Sequence, residues 1–144
     1  MNILNLKPEY IDGVVALENE CFAHPWTRDA ILEYYGNPDA YFFVALEGNE
    51  VVGYIGTYMV MDECFVTNLA VTENNRRQGI GNALILEATR NARSNGASFI
   101  TLEVRVSNGA AISVYGKNEF ITEGIRKGFY RDPDEDALIM TRRF

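Results

Sequence analysis

The chain has 144 residues, of which 47% are hydrophobic and 12% aromatic, and its formal net charge at pH 7 is −7. This length and apolar content predict one domain, residues 1–144, with a substantial core. The negative charge disfavours general nucleic-acid binding, which needs basic residues to displace counterions. No apolar run approaches the roughly 20 residues of a membrane span, and the first residues lack the features of a secretory signal. We therefore expect a cytoplasmic protein with no membrane partner.

The sequence offers little for a disulfide framework or a metal site. It contains two cysteines, Cys21 and Cys64, and one histidine, His24. Two thiols and one imidazole do not supply a plausible zinc site, and reduced cysteines are the rule in the cytoplasm. We expect two free thiols and no metal.

The first half of the chain reads as one strand, two helices and three strands. Asn2–Leu6 is a short strand, a helix runs from Pro8 to about Phe22, and Thr27 is a possible N-cap for a helix to about Tyr35. The short connections between the next three strands predict an antiparallel meander. These strands are Ala40–Leu46, Glu50–Val60 and Glu63–Val71.

The second half alternates helices and strands before a final hairpin. A helix is predicted from Gly79 to about Asn95, with Gly96 at its C-cap position. A period-2 strand follows over Ser98–Val106, with Thr101, Glu103 and Arg105 on its polar face. The last elements are a helix from about Asn108 to Lys117 and the strands Phe120–Tyr130 and Ala137–Phe144. The order β-α-α-β-β-β-α-β-α-β-β predicts a mixed sheet in an α/β (α+β) fold.

A glycine-rich loop lies between the fourth strand and the third helix. Its sequence is Arg76-Arg77-Gln78-Gly79-Ile80-Gly81. A helix N-terminus exposes unpaired N–H groups and carries a partial positive charge, and glycines let a bulky anion approach those groups. The two arginines add positive charge. The loop therefore predicts a phosphate or pyrophosphate site.

A purely structural role for this loop is the alternative. In that case Gly79 and Gly81 serve only tight helix–sheet packing, and the arginines are solvated. Two familiar nucleotide motifs fit the loop poorly. It lacks the Gly-Lys-Ser/Thr ending of a P-loop, and it follows the fourth strand, whereas dinucleotide-binding glycines follow the first strand of a parallel unit.

Arg76-x-x-Gly79-x-Gly81, following a strand that ends Asn68-Leu69-Ala70-Val71, resembles the coenzyme A signature of the GNAT superfamily of N-acetyltransferases. The resemblance implies a GNAT fold with a bulged fourth strand and acetyl-CoA as cosubstrate. It assigns the acetyl group and pantetheine arm to Leu69, Ala70 and Val71. It places the pyrophosphate on the start of the third helix, at Arg77, Gln78, Gly79, Ile80, Gly81 and Asn82. Glu73 and Asn75 replace the usual proline and aromatic residue, which removes some loop stiffness.

Acyl transfer to an amine requires a proton acceptor for the ammonium and benefits from a proton donor for the departing thiolate. Glu103 and Tyr115 carry suitable groups, and Glu103 lies on a strand predicted to end near the cofactor. Each residue also has a structural alternative, Glu103 as a solvent-facing charge and Tyr115 as a core aromatic residue.

Several further segments resemble the RimI branch, the ribosomal-protein alanine N-acetyltransferases. They include Glu103–Asn108 with Ala111 and Tyr115, Glu20-Cys21-Phe22 with Pro25-Trp26, Gly124-Ile125-Arg126 with Phe129-Tyr130, and Asp132-Pro133 with Glu135–Leu138. By position, the resemblance makes Glu103 the general base, Tyr115 the general acid and Asn108 a coenzyme A contact. It departs at Glu119, where the family has glycine and Asn118 is expected to take the left-handed position instead. It also departs at Phe129, where the family has a second tyrosine.

The resemblance implies that the substrate is the N-terminal alanine of the small-subunit ribosomal protein bS18. An α-amine has a pKa of about 8 against about 10.4 for lysine, so a single carboxylate is an adequate base for it, although lysine is not excluded. Phe22 and Trp26 on one side, and Phe129 and Tyr130 on the other, are expected to contact the peptide. Packing is the alternative for the first pair, and a solvated turn is the alternative for the acidic residues after Tyr130.

Three alternative functions are compatible with parts of this pattern. They are acetylation of a broader set of N-termini or of a small amine, binding of acyl-CoA without catalysis, and binding of nucleic acid. The charge disfavours the last. Neither cysteine has an evident activating partner, which predicts direct transfer in a ternary complex without an acyl-enzyme. We expect a monomer or a weak dimer.

Overall fold

The computed structural model describes residues 1–144 and contains one seven-stranded sheet with strand order β1-β2-β3-β4-β5-β7-β6. The strands are β1 (Asn2–Asn5), β2 (Ala40–Glu47), β3 (Glu50–Val60), β4 (Glu63–Val71), β5 (Phe99–Arg105), β6 (Ile121–Tyr130) and β7 (Glu135–Arg143). The helices are α1 (Ile11–Cys21), α2 (Arg28–Tyr35), α3 (Ile80–Ser94) and α4 (Gly109–Lys117). None of the helices combines the length and apolar character needed to cross a bilayer.

The predicted element order is confirmed, and most boundaries agree to within two residues. The first predicted helix divides into a 3-10 turn over Pro8–Tyr10 and α1. Thr27 caps α2, since its hydroxyl accepts a hydrogen bond from the Ala30 amide at 3.2 Å. Gly96, at the end of α3, adopts φ = 85°, as a C-terminal glycine does.

Helices cover both faces of the sheet, which is why β2 and β3 are apolar along most of their length. On one face, Leu84 and Ala88 of α3 pack against Ile100 and Leu102 of β5 in the larger core cluster. On the other face, Val14 and Leu17 of α1, with Ile31 of α2, pack in a second cluster. Each such large side chain contributes roughly 1.5–3 kcal/mol on burial.

The sheet opens between β4 and β5. These strands pair in parallel only where Glu63–Phe65 meet Phe99–Thr101, and beyond that point they diverge. On its other edge β4 stays paired with β3, but the register shifts so that Thr67 is an extra residue between Val66 and Asn68. This is the bulge predicted in the fourth strand. The divergence leaves one edge of the C-terminal half of β4 without a strand partner.

The final hairpin inserts its second strand into the sheet. β7 pairs antiparallel with β5, and β6 forms the outer edge. In this arrangement the connection between β6 and β7 lies next to the polar face of β5.

The expectation for Asn118 is wrong. Asn118 has φ = −99°, and Glu119 itself takes the left-handed position with φ = 69°. At the end of α4 the Phe120 amide bonds the Tyr115 carbonyl and the Glu119 amide bonds the Gly116 carbonyl, a pair that requires the left-handed residue at 119. Asn118 is instead buried and links α4 to α3, since its Nδ2 donates a hydrogen bond to Asn82 Oδ1 at 2.7 Å.

Candidate active site

The divergence of β4 and β5 creates a cleft of about 700 Å³. Five parts of the chain line it: the end of α1 with the loop to α2, the bulged part of β4, the C-terminal half of β5, α4 with its N-cap, and the end of β6 with the residue after it. The predicted residues Glu103, Tyr115, Asn108, Leu69, Phe22, Trp26, Phe129 and Tyr130 all line this cleft. Thus elements up to about 100 residues apart in sequence meet at one opening in the sheet.

The start of α3 presents free backbone donors next to β4. The first backbone hydrogen bond of the helix is donated by Ala83 to Gly79, and no side chain caps it. The amides of residues 77 to 82 therefore donate no hydrogen bond within the chain. Residues 76 to 79 are exposed. Six free N–H groups at a helix N-terminus are a cradle for an anion such as a pyrophosphate.

The glycines of this loop are not there for packing. A Cβ atom at Gly79 would meet nothing within 4 Å, and one at Gly81 would approach only Val71 Cγ2 at 4.0 Å. The packing alternative is therefore wrong. Gly79 has φ = 81°, which a glycine adopts without strain, and the Cβ position at Gly81 is open.

The loop before α3 is anchored despite the loss of the family's proline. The Glu73 amide donates to Glu20 Oε2 at 2.8 Å, and Thr72 Oγ1 donates to Asn75 Oδ1 at 2.7 Å. Arg76 Nε donates to the Val71 carbonyl at 3.1 Å. These bonds hold the loop that contains the predicted anion site against the end of β4.

Glu103 and Tyr115 reach the cleft from different elements. Glu103 lies on the polar face of β5 with 29% of its side chain exposed, and its Oε1 is 3.2 Å from Arg126 Nε of β6. Tyr115 lies on α4, buried and packed against Phe120. Burial, and secondarily the charge of Tyr130, raises the pKa of the Tyr115 phenol well above its ordinary value. Tyr115 is thus both a core residue and a protonated phenol at the cleft.

Asn108 is the N-cap of α4, and its Oδ1 accepts from the Ala111 amide at 3.2 Å. This cap sets the start of the helix that carries Tyr115, in addition to lining the cleft.

Two walls of the cleft carry the residues predicted to contact the peptide: Phe22 and Trp26 on one wall, Phe129 and Tyr130 on the other. Trp26 stacks on Tyr34 with ring centroids 4.7 Å apart, while Phe22 and Phe129 are 37% and 49% exposed. The two walls meet where His24 Nε2 lies 2.5 Å from Asp132 Oδ2.

Tyr130 is held beneath a guanidinium. The Arg105 group lies 4.5 Å from the ring centroid of Tyr130. Burial, then the charge of Glu103, raises the pKa of Tyr130 to about 12, against the opposing effect of Arg105.

Sequence reasoning missed two groups of residues at this site. Arg105 donates to the carbonyl oxygens of Pro133 and Arg131 at 2.8 and 3.1 Å, and it pairs with Glu135 at 3.2 Å. Because Arg105 binds both carbonyls, it orders the segment between β6 and β7. In the sequence, the only indication that Arg105 belongs to the site was its position on the polar face of the strand that also carries Glu103.

The second missed group centres on Glu18, which is 1% exposed on α1. Its carboxylate accepts from the Trp26 amide at 2.8 Å, from Asn68 Nδ2 at 3.2 Å and from the Tyr54 hydroxyl. The sequence did hold a signal, because Glu18 falls on the same helical face as Ile11 and Val14, where a charge is unusual.

The two cysteines differ in position. Cys64 is buried in the core, and burial raises the pKa of its thiol to about 11. Cys21 lines the cleft, 3.6 Å from Arg76 Nη2, and burial outweighs that arginine and raises its thiol pKa too. Neither thiol is activated as a nucleophile.

The architecture and the cleft define an acetyltransferase of the GNAT class, and comparison with known families agrees. The model of the Acetyltransferase (GNAT) family matches residues 11–120. The chain belongs to this family, and the fold and enzyme class predicted from the resemblance are confirmed.

Similar relatives belong to the RimI-like branch. An Escherichia coli K12 protein named [ribosomal protein bS18]-alanine N-acetyltransferase is 31% identical over 140 residues, covering 96% of this chain and 94% of the relative. A Bacillus subtilis relative, to which the same activity is provisionally assigned, is 38% identical over 139 residues, covering 96% and 92%. The crystal structure of the Escherichia coli ribosomal-protein-S18-alanine N-acetyltransferase superposes with a TM-score of 0.89 at 28% identity, covering 99% of this chain and 92% of that one.

Proposed function

We propose that this protein transfers the acetyl group of acetyl-CoA to the N-terminal α-amine of a ribosomal protein, the alanine of bS18. The observation that carries this proposal is that Glu103 and Tyr115 line one cleft at the divergence of β4 and β5. The names of the relatives supply the substrate. A ribosomal substrate implies action in the cytoplasm.

The residues present fit coenzyme A. The six free amides of residues 77 to 82 suit the pyrophosphate. The Cβ position at Gly81 is open, and a helical side chain there would tilt towards the helix N-terminus, where these amides lie. The edge of β4 at Leu69, Ala70 and Val71 that has no strand partner suits an extended arm that hydrogen-bonds like an added strand. When bound there, acetyl-CoA supplies an acetyl group activated as a thioester.

The peptide and the coenzyme approach from opposite faces of the sheet. Ile100, Leu102 and Val104 face the α3 side, so Glu103 faces the α1–α2 side, where the peptide walls lie. Tyr115 belongs to the α3 side. This separation supports pairing the proposed proton acceptor with the amine and the proposed proton donor with the coenzyme.

The two side chains suit opposite proton transfers. Glu103 is partly exposed and takes a proton from the substrate's ammonium, directly or through water. Tyr115, with its raised pKa, retains its proton at neutral pH and donates it to the departing sulfur. Neither cysteine is activated, which supports direct transfer without an acyl-enzyme.

The test is a steady-state assay with acetyl-CoA and a peptide panel, read by mass spectrometry. The panel contains the bS18 N-terminal peptide with free alanine, an α-blocked version with a lysine, versions with other first residues, and small amines. Rapid acetylation of the alanine peptide alone supports a dedicated ribosomal modifier. Equal rates for many first residues make the enzyme a broad N-terminal acetyltransferase, and turnover of small amines alone contradicts the proposal.

A further inference from the structure

A buried carboxylate lies in the cleft away from the proposed base. Glu18 is 1% exposed, and its three hydrogen-bond donors, on Trp26, Tyr54 and Asn68, are all neutral. No lysine, arginine or histidine nitrogen lies within 4.0 Å of it, in contrast to Glu103 and Glu135. A buried negative charge is costly unless a cation offsets it. Glu18 is therefore a buried carboxyl group without a cationic partner, in a cleft whose proposed substrate is a cation.

Two unpartnered acceptors, on the adjacent residues Thr67 and Asn68, line the same cleft as Glu18. Asn68 is 9% exposed, and its Oδ1, like the Thr67 hydroxyl oxygen, is buried and has no hydrogen-bond partner. Buried acceptors are nearly always paired, so two adjacent exceptions in a cleft point to a donor that arrives with a ligand.

The bulge places these acceptors on the same face of the sheet. Asn68 pairs with Gly56 of β3 and has Thr67 as the inserted residue before it. A Cβ at Gly56 would lie 3.0 Å from Thr67 Oγ1 and would also meet the ring of Phe42, which belongs to the core beneath α1 and α2. Thr67 and Asn68 therefore both face the α1 side, towards Glu18. Glu103 faces the same side from β5.

We propose that Glu18, Thr67 and Asn68 form an ammonium subsite, which binds the protonated α-amine of the peptide before Glu103 removes its proton. An ammonium group has three N–H donors and one positive charge, which match one carboxylate and two neutral acceptors. The subsite deepens the proposed function, on which it rests, by giving a physical reason for selecting a free N-terminus. At pH 7 about nine-tenths of α-amines carry the charge it recognises.

The test compares two ligands that differ only in this charge. The first is the alanine peptide, and in the second a hydroxyl group replaces the α-amine. Binding to the CoA-loaded enzyme is measured by calorimetry at pH 7, where CoA without an acetyl group prevents turnover. Wild-type enzyme is expected to bind the amine about 10- to 100-fold more tightly than the hydroxyl peptide.

In Glu18→Gln this preference is expected to fall to within about threefold, while the affinities for CoA and for the hydroxyl peptide stay near the wild-type values. Tyr54→Phe is the matched control, because it removes one donor to Glu18 and leaves the charge; it is expected to keep the preference. Asn68→Ala is a second variant in case Glu18→Gln does not fold, with an expected loss of about three- to tenfold in amine affinity alone.

Two outcomes overturn the subsite. One is an undiminished preference for the amine in both Glu18→Gln and Asn68→Ala. The other is an equal weakening of both ligands, which assigns Glu18 a structural role only. If either outcome occurs but the wild-type enzyme acetylates the alanine peptide, the proposed function stands and only the subsite is rejected. A wild-type enzyme that neither binds nor acetylates that peptide fails the proposed function itself.

Discussion

Arg126 Nε lies 3.2 Å from Oε1 of Glu103, so the proposed general base is paired with a cation on the neighbouring hairpin. Arg126 is 56% exposed and Glu103 29%. An ion pair this exposed contributes little, on the order of 0–1 kcal/mol, and is easily exchanged. In the proposed mechanism, the Arg126 guanidinium therefore competes with the substrate's ammonium for the Glu103 carboxylate.

Arg126→Gln is expected to lower the KM for the peptide by up to about fivefold at low salt, because the ammonium no longer competes with the guanidinium. The KM for acetyl-CoA is expected to stay unchanged. Arg143→Gln is a matched control, since Arg143 forms a similar pair with Glu123 at 2.7 Å and neither residue lines the cleft. An unchanged or higher peptide KM in Arg126→Gln would show that the pair does not oppose substrate binding.

Glu103→Gln is expected to lower kcat/KM at pH 7 by roughly 10²- to 10⁴-fold, the usual contribution of a general base. Above about pH 8 the α-amine loses its proton unaided, so part of the activity should return. Tyr115→Phe provides the contrast, because a missing proton donor is not replaced by raising the pH. The measurement is the pH profile of kcat/KM for both variants, and a parallel loss in Glu103→Gln at every pH would exclude its role as base.

Gly81→Leu is expected to fold and to weaken acetyl-CoA binding by at least about tenfold. The Cβ position at Gly81 is open, so the larger side chain extends into the space in front of the free amides of α3. Calorimetry with acetyl-CoA measures the affinity and a thermal melt checks the fold. Gly48→Leu, at an exposed turn with φ = 62°, is the control that perturbs a glycine away from the cleft. Unchanged affinity in Gly81→Leu would remove these amides from the coenzyme site.

Glu135 gives the protein a pH-dependent stability. Hydrogen bonding from Ser107, whose amide lies 2.7 Å from Oε2, and then the Arg105 guanidinium lower the pKa of Glu135. Because the folded value is lower than the unfolded value of about 4.3, the carboxylate stabilises the fold above that pH. The contribution is lost as the pH falls through the folded value.

Glu135→Gln is therefore expected to be less stable than wild type at neutral pH, with a difference that shrinks as the pH falls below about 4. Urea unfolding at a series of pH values measures this difference. Glu119→Gln, whose side chain is 76% exposed, serves as the control. A difference that stays constant down to low pH would mean that the ionisation of Glu135 plays no part.

Replacing both cysteines by alanine is expected to leave kcat within about threefold of wild type, since the proposed direct transfer uses no thiol nucleophile. Burial of Cys64 makes some loss of thermal stability expected from the cavity that its removal creates. Steady-state kinetics well below the melting temperature separate the two effects. Loss of all turnover in a folded double variant would favour an acyl-enzyme, and Cys21→Ala alone would then identify the residue at the cleft.

Local patterns in the sequence were enough to predict the elements and their ends. Period-2 alternation indicated β5, Thr27 was the expected cap of α2, and Asn108 was the expected start of α4. Gly79 and Gly81 mark the predicted anion site at the start of α3. These features depend on hydrogen bonds and φ values within a few residues, so nearby residue types suffice to predict them. The resemblance then supplied Glu103 and Tyr115 as base and acid.

The cleft itself depends on tertiary packing. The short pairing of β4 with β5, the pairing of β7 with β5, and the contacts of Arg105 with the segment after Tyr130 join residues about 25 to 45 positions apart. Glu18 meets Asn68, 50 positions away, through the packing of α1 on the bulge. The left-handed residue after α4 is Glu119, because the hydrogen bonds that end the helix require that conformation at position 119. The general preference of asparagine for left-handed φ values did not decide it. Such contacts depend on how whole faces pack, and no local pattern in the sequence encodes them.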